Sequence, residues 1–332
     1  MKVFALFGAG RIGRIHAANV AAHGAARLKY VVDLDTAAAG RIAEATGATV
    51  VDAAAALADP AVDALLIASP TDTHAALIEA GAAAGKAMLC EKPVDLDVGR
   101  ARACIATAER AGVLLAIGFN RRYDPSFRRL RKGIEDGEIG AVETVLIVSR
   151  DPAPPPVSYV RSSGGMFRDM TIHDLDMARW LLDEEPVEVT AQGSSLVDPA
   201  IGAAGDIDTA AVTLRTRGGR IAQIANSRRA AFGYDQRIEV CGARGMLAAG
   251  NRKATSVEHA DAAGYRSDPA LPFFLERYAE AYRLELDAFV RRLHGETADL
   301  VSGRDGVRAL EIADACERSM RAGATVRLEA GA

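Results

Sequence analysis

Residues 2–13 read Lys2-Val3-Phe4-Ala5-Leu6-Phe7-Gly8-Ala9-Gly10-Arg11-Ile12-Gly13, an apolar run that ends in G-x-G-x-x-G. A helical stretch follows to about His23. Strand, glycine motif and helix in that order give the spacing its meaning, because each glycine then has its own task. Gly8 permits a tight turn, Gly10 lets a pyrophosphate approach the backbone, and Gly13 lets helix and strand pack closely. The helix N-terminus then offers its unpaired N–H groups to phosphate charge. Leu28 to Val32 reads as a second strand, and Asp33 closes it where an acidic side chain holds ribose hydroxyls. A carboxylate there repels a 2′-phosphate, so NAD is the expected cofactor rather than NADP.

The alternation continues. Helices are expected at 37–46 and 53–58, a short strand at 49–51, and a strand at 62–68, apolar apart from Asp63, of the kind parallel sheets bury on both faces. The last of these ends in Ser69-Pro70-Thr71, and His74 lies at the start of the next helix. A strand at 87–90 runs into Glu91-Lys92-Pro93, and a helix at 97–111 and a strand at 113–119 follow. The result is a doubly wound (Rossmann) parallel sheet over residues 1–120. Its cofactor-facing set is expected to be Gly8, Gly10, Arg11, Ile12, Gly13, Asp33, Ser69, Thr71, His74, Glu91, Lys92 and Asn120.

After Asn120-Arg121-Arg122-Tyr123-Asp124-Pro125 the strands follow one another. Candidates are 142–150, 187–196, 209–216, 220–226, 237–242 and 246–249, with helices at 272–293 and 304–321 and a last strand at 324–328. In the 209–215 run, Ala210, Val212 and Leu214 alternate with polar neighbours, as a half-covered antiparallel strand does. Residues 121–332 are therefore expected to form an α+β domain with an open, mostly antiparallel sheet. It would bind substrate and mediate assembly.

A chain of 332 residues can bury two sizeable cores. Its net charge of -4 argues against a nucleic acid or an anionic membrane surface as partner. The four cysteines form no C-x-x-C pair, which fits reduced thiols in the cytoplasm. Met1 leads straight into an apolar strand, and no apolar run is long enough to span a membrane. The six histidines form no H-E-x-x-H or Cys/His cluster, so no metal is expected.

Residues 164–182, GGMFRDMTIHDLDMARWLL, read as a helix opened by a Gly-Gly turn and halted by Asp183-Glu184-Glu185-Pro186. Asp169, His173, Asp176 and Trp180 share one stripe of it, flanked by apolar side chains. A carboxylate one turn from an imidazole can orient it and tune its basicity near neutral pH. The bland alternative is a half-buried helix whose histidine satisfies a local hydrogen bond. Lys92, at the carboxyl end of a sheet strand, can donate to a substrate hydroxyl or simply pair with Glu91 or another carboxylate. Pro93 opens the option of a cis bond after Lys92. Arg121 and Tyr234 suit a polyhydroxylated ligand.

These motifs, taken together, carry a resemblance. Gly8-x-Gly10-x-x-Gly13, Glu91-Lys92-Pro93, Phe119-Asn120-Arg121-Arg122-Tyr123-Asp124 and Gly164-Gly165-Met166-Phe167-Arg168-Asp169 with Ile172-His173-Asp174 occur in that order. The chain thereby resembles the glucose-fructose oxidoreductase, inositol dehydrogenase and rhizopine-catabolism (Gfo/Idh/MocA) family of NAD(P)-dependent dehydrogenases, over nearly its whole length. Ser149-Arg150-Asp151-Pro152-Ala153-Pro154-Pro155-Pro156 and the stretch 163–181 resemble its inositol-oxidising bacterial members in particular.

The resemblance implies that Lys92, Asp169 and His173 are the catalytic trio of an NAD-dependent polyol dehydrogenase. His173 would accept the hydroxyl proton, Asp169 would orient it, and Lys92 would stabilise the oxygen where charge develops. Lys92, Arg121, Asp169, His173 and Tyr234 would line the substrate site, and the assembly implied is a homotetramer. The implied reaction is oxidation of myo-inositol to 2-keto-myo-inositol (scyllo-inosose). Scyllo-inositol and an aldose are the runners-up. Two other classes stay open at this stage: an NAD-dependent glycosidase of the same fold, and a redox-silent NAD-bound sensor. The signatures of other dehydrogenases, Tyr-x-x-x-Lys and a zinc-type cysteine cluster, are missing.

Overall fold

The computed structural model describes residues 1–328. The chain falls into two compact units, one of residues 1–123 with 281–310, the other of 124–280 with the chain from Glu311 onward. The sequence division at 120/121 assigns all of 281–310 to the second unit instead. The first unit begins with β1 (Lys2–Phe7), α1 (Arg11–Ala22), β2 (Ala26–Val32), α2 (Thr36–Thr46), β3 (Thr49–Val50) and α3 (Ala53–Ala58). It continues with β4 (Ala64–Ile67), α4 (His74–Ala83), β5 (Ala87–Glu91), α5 (Val98–Ala111) and β6 (Leu115–Gly118). The six strands pair in the order β3-β2-β1-β4-β5-β6, every pair parallel. The order reverses between β1 and β4, the switch point at which such sheets open a ligand crevice.

Local signals set the helix ends. Asp35 and Asp97 accept the backbone N–H of Ala38 and Arg100, while Gly47 and Gly112 end α2 and α5 in the left-handed region. Each is a cap that its residue type favours.

The second unit contains α6 (Pro125–Glu135), β7 (Val142–Arg150), α7 (Val157–Val160), α8 (Ile172–Leu182), β8 (Pro186–Ser194) and α9 (Pro199–Ala203). It goes on through β9 (Thr209–Thr216), β10 (Ile221–Ser227), β11 (Asp235–Gly242), β12 (Gly245–Ala249), the hairpin β13 (Glu258–Asp261) and β14 (Gly264–Ser267), and α10 (Phe274–Arg277). Then come α11 (Ala279–Leu293), α12 (Gly303–Ala322) and β15 (Val326–Arg327). The large sheet runs β12-β11-β7-β10-β9-β8-β15 and is antiparallel except for the β10–β7 pair. One face buries Val145, Ile147, Val212, Leu214 and Ile224, and α8 packs against β7 and β10. On the other face Leu146 and Ile221 stay exposed.

Strands 142–150 and 209–216 have the bounds expected of them from the sequence. The helix expected at 272–293 is two helices instead, broken at Tyr278. The β13–β14 hairpin escapes sequence reading because all eight of its residues are exposed and no apolar alternation marks it. Helix α11 returns the chain to the first unit. Its Leu286, Phe289 and Val290 join the core that holds Phe4 and Leu6, with the Phe4 and Phe289 rings 6.3 Å apart.

Candidate active site

At the carboxyl edge of the parallel sheet the three glycines differ in what the fold demands of them. Gly8 has φ +103°, and a Cβ there would lie 2.4 Å from the Ala68 carbonyl oxygen. At Gly13 a Cβ would fall 1.9 Å from the Gly8 carbonyl oxygen, so α1 reaches the loop only without a side chain. Gly10 is different: its φ is an ordinary −69°, and a Cβ added to it meets nothing within 4 Å. The chain itself does not require glycine there, and the open space suits a pyrophosphate lying against the backbone. Asp33 closes the next loop. Its carboxylate accepts the backbone N–H groups of Ala9 and Asp35. These features fit a bound dinucleotide.

The remaining strand-end residues divide into two kinds. Ser69 hydrogen-bonds Thr73 through their hydroxyls at 2.6 Å, and Thr71 sits in the one-turn 3-10 segment between them. His74 is buried, and its two ring nitrogens lie 2.8 Å from the carbonyl oxygens of Pro93 and Ser69. It is a clamp between the loops after β4 and β5, and its ring has no nitrogen left for a ligand. The Lys92–Pro93 bond is cis. Glu91 turns its carboxylate to His16, with Oε1 2.7 Å from Nε2. Asn120 is buried, and its Nδ2 has no hydrogen-bond partner among the described residues. Arg121, in the same 3-10 turn, is 5% exposed. Arg11 and Ile12 open α1 on its more accessible side.

In the second unit Gly164 and Gly165 take positive φ, as a turn before a helix requires. The helix does not start as an α-helix. Residues Phe167–Thr171 form a π turn that runs into α8. Such bulges widen the winding locally and recur at functional sites. Asp169 lies in the π turn and His173 in the first turn of α8, both half-buried.

Asp169 is held by residues from other parts of the unit. Tyr159 donates its hydroxyl to Oδ1 at 2.9 Å, and Arg228 approaches Oδ2 at 3.1 Å. Arg228 is 2% exposed, stands 3.7 Å from Asp151, and donates its backbone N–H to the Asp208 carbonyl at 2.8 Å. Asp151 opens the proline-rich loop after β7, which ties that loop to Asp169 through Arg228.

The stripe read from the sequence breaks after His173. Asp176 is buried 3.7 Å from Arg179, whose guanidinium pairs with Glu185. Asp174, next to His173, is also buried and accepts from Ser149 at 2.6 Å and Asn226 at 2.8 Å. That network pins α8 to β7 and β10 beneath His173. Tyr234 is 6% exposed and edge-on to Phe273 and Tyr278 at 5.9 and 6.0 Å. Arg228 and Tyr159 carry no motif that would have singled them out, and Asp174, though part of the Ile172-His173-Asp174 motif, had no role read for it.

Residues 2–119 match the family model described as oxidoreductase family, NAD-binding Rossmann fold, and residues 127–248 match the GFO/IDH/MocA C-terminal domain. The chain is 53% identical over 319 residues to the inositol 2-dehydrogenase of Rhizobium meliloti, covering 96% of each chain. It is 44% identical to a solved myo-inositol dehydrogenase from Corynebacterium glutamicum, with a TM-score of 0.95 and full coverage of both. A second similar structure is scyllo-inositol dehydrogenase from Lactobacillus casei with bound NAD(H) and scyllo-inositol, at 29% identity and a TM-score of 0.91, covering 98% of this chain and 99% of that one.

Proposed function

The chain belongs to the Gfo/Idh/MocA family of NAD-binding oxidoreductases, and from that premise we propose that it oxidises a ring hydroxyl of myo-inositol to give 2-keto-myo-inositol. The observation that carries the proposal is the 53% identity to an inositol 2-dehydrogenase across 96% of both chains. The motif residues Lys92, Asp169 and His173 supply the groups that such an oxidation needs.

NAD, when bound, supplies the acceptor for the hydride. The glycine loop and Asp33 hold the dinucleotide. His173 takes the proton from the reacting hydroxyl, a task that an imidazole performs well because its basicity lies near neutral pH. Asp169, steadied by Arg228 and Tyr159, fixes the side on which His173 presents its ring. The Lys92 ammonium stabilises the oxygen on which negative charge develops. Arg121 and Tyr234 complete the polar lining proposed for a ring of hydroxyls. Polar groups of this kind penalise an apolar alcohol, which would leave them unmatched.

Assay of the purified protein with NAD and a panel of inositol isomers and aldoses tests this reading. NADH formation with myo-inositol at the highest kcat/KM supports it. A preference of about tenfold or more for scyllo-inositol or an aldose would replace the substrate and leave the dehydrogenase standing. Absence of net NADH formation with every free polyol would end the dehydrogenase reading.

The proposal extends to assembly and place. The exposed face of the large sheet, with Leu146 and Ile221 on it, suits contact with further copies of the chain, and a homotetramer is the assembly proposed. Sedimentation equilibrium at micromolar concentration tests it, and a monomer would count against it. Cys90, Cys104, Cys241 and Cys316 are all free thiols, in keeping with a cytoplasmic setting. No helix among the described residues is long and apolar enough to cross a membrane.

A further inference from the structure

Three titratable side chains meet inside the first unit. His16 of α1, Glu91 at the end of β5 and Glu285 of α11 each place one side-chain atom within 4.8 Å of the others. His16 and Glu285 are 2% and 0% exposed. His16 Nε2 lies 2.7 Å from Oε1 of Glu91, while its Nδ1 has no hydrogen-bond partner among the described residues. A carboxylate only accepts, so Nε2 carries the N–H that is donated to Glu91.

Glu285 presents the opposite problem. Neither of its oxygens accepts a hydrogen bond from any described residue. A buried carboxylate without donors is among the costliest arrangements a fold can hold. The neutral acid instead carries an O–H that it can give away. His16 Nδ1 takes no hydrogen bond among the described residues, and the Glu91 carboxylate, within 4.8 Å of Glu285, is the charged acceptor in the cluster. Burial, and then the Glu91 charge, push the Glu285 carboxyl well above the usual range.

The surroundings are shaped to this arrangement. Glu91 pairs with Gly118 of β6, where an added Cβ would lie 2.9 Å from the Glu91 carboxylate. Tyr282, one turn before Glu285, sets its ring edge-on to His16 at 5.9 Å. Three elements, α1, β6 and α11, thus converge on the one carboxylate at the end of β5 that adjoins Lys92.

We propose that Glu285 is a positioning residue: as a neutral carboxylic acid it donates its O–H to Glu91, and this bond, with His16 on the other side, holds the Glu91-Lys92-Pro93 turn and so the direction of the Lys92 ammonium. The catalytic half of the inference rests on the dehydrogenase reading, in which Lys92 serves the reacting oxygen. The hydrogen bond itself does not.

Two substitutions and one spectrum test it. Glu285→Gln keeps the shape and an N–H donor, whereas Glu285→Leu keeps the bulk and loses the donor. Infrared difference spectra of the NAD-bound enzyme against Glu285→Gln should show a protonated-carboxyl C=O band at neutral pH that the variant lacks. In steady state, Glu285→Leu should lose about tenfold or more in kcat with little change in KM for NAD, because a small misplacement of a catalytic group is costly. Glu285→Gln should recover most of that loss. Absence of the band, or equal kcat in folded Leu and Gln variants, would overturn the proposal. So would a stoichiometric divalent metal in the purified enzyme that Glu285→Leu abolishes. The band needs no substrate, so failure of the dehydrogenase reading would show separately, as absent turnover with the band intact.

Discussion

Arg228 and Asp169 meet at 3.1 Å, Nη2 to Oδ2, across 59 residues of sequence. The orientation of Asp169 is therefore set by the loop after β10 and not by its own helix alone. A guanidinium grips a carboxylate through a planar fork that an ammonium cannot reproduce. Arg228→Lys keeps the charge, and we expect it to lower kcat by about tenfold or more. NAD affinity should not change, since the glycine loop and Asp33 belong to the other unit. Steady-state kinetics with a separate NAD titration check this. Wild-type kcat in a folded Arg228→Lys enzyme would show that Asp169 needs no such brace.

The glycine loop offers a sharper contrast. An alanine at position 13 would press its Cβ against the Gly8 carbonyl, whereas one at position 10 meets nothing within 4 Å. Gly13→Ala should therefore lower the melting temperature, and Gly10→Ala should leave it unchanged while weakening NAD binding. Thermal melts with and without NAD decide the matter. A Gly10→Ala protein with full NAD affinity would mean that the cofactor does not approach the backbone at that point.

The parallel sheet was legible because its signals are local: an apolar strand, three glycines and an acidic residue at the end of the next strand. The π turn at Phe167–Thr171 was not, since a periodicity of 3.6 fits Asp169 and His173 whether the first turn is α or π. The same template carried the stripe on to Asp176, which the fold buries beside Arg179. Arg228 was invisible because it is one arginine in an arginine-rich chain, and only the packing of α8 against β7 and β10 accounts for its meeting Asp169. Glu285 sits in an ordinary amphipathic pattern. Nothing in that pattern says that its helix returns to the first unit.

The motif trio yields a direct expectation. Lys92→Ala and His173→Ala should each reduce kcat by about 10²-fold or more, the scale of positioned acid-base and charge-stabilising groups. NAD should still bind to both. A His173→Ala enzyme with most of its turnover would return α8 to a structural role, with the Asp174 network as its reason for being polar.

Asp33 carries two duties that can be separated. Its carboxylate holds the Ala9 and Asp35 N–H groups, and it would repel a 2′-phosphate. Asp33→Ser should raise the ratio of kcat/KM for NADP to that for NAD, and it should also lower the absolute value with NAD because the loop loses its tie. Efficient use of both cofactors by the wild type would remove Asp33 from the selectivity argument.

Two fully buried carboxyls should move stability in opposite directions with pH. Burial pushes Asp208 upward, but the N–H groups of Asp198, Leu196 and Val197, at 2.9, 2.8 and 2.9 Å, outweigh it and hold this carboxyl below its usual range. A group depressed in the fold stabilises above its unfolded pKa of about 3.9, and that contribution is lost as the pH falls through the lower folded value. Asp208→Asn should accordingly melt lower than the wild type at pH 7, and the gap should narrow in acid. Glu285 is raised by burial and by the Glu91 charge. Below its unfolded pKa of about 4.3 both states hold its proton and its contribution is full. As the pH climbs above that value only the unfolded chain releases the proton, so stability falls. Glu285→Gln has no proton to lose. Its melting temperature relative to wild type should rise steadily from pH 5 to pH 8, the reverse of the Asp208→Asn trend. Parallel curves for Glu285→Gln and wild type over that range would mean that Glu285 ionises in the folded protein as it does in the unfolded one, and that it has no proton to give Glu91.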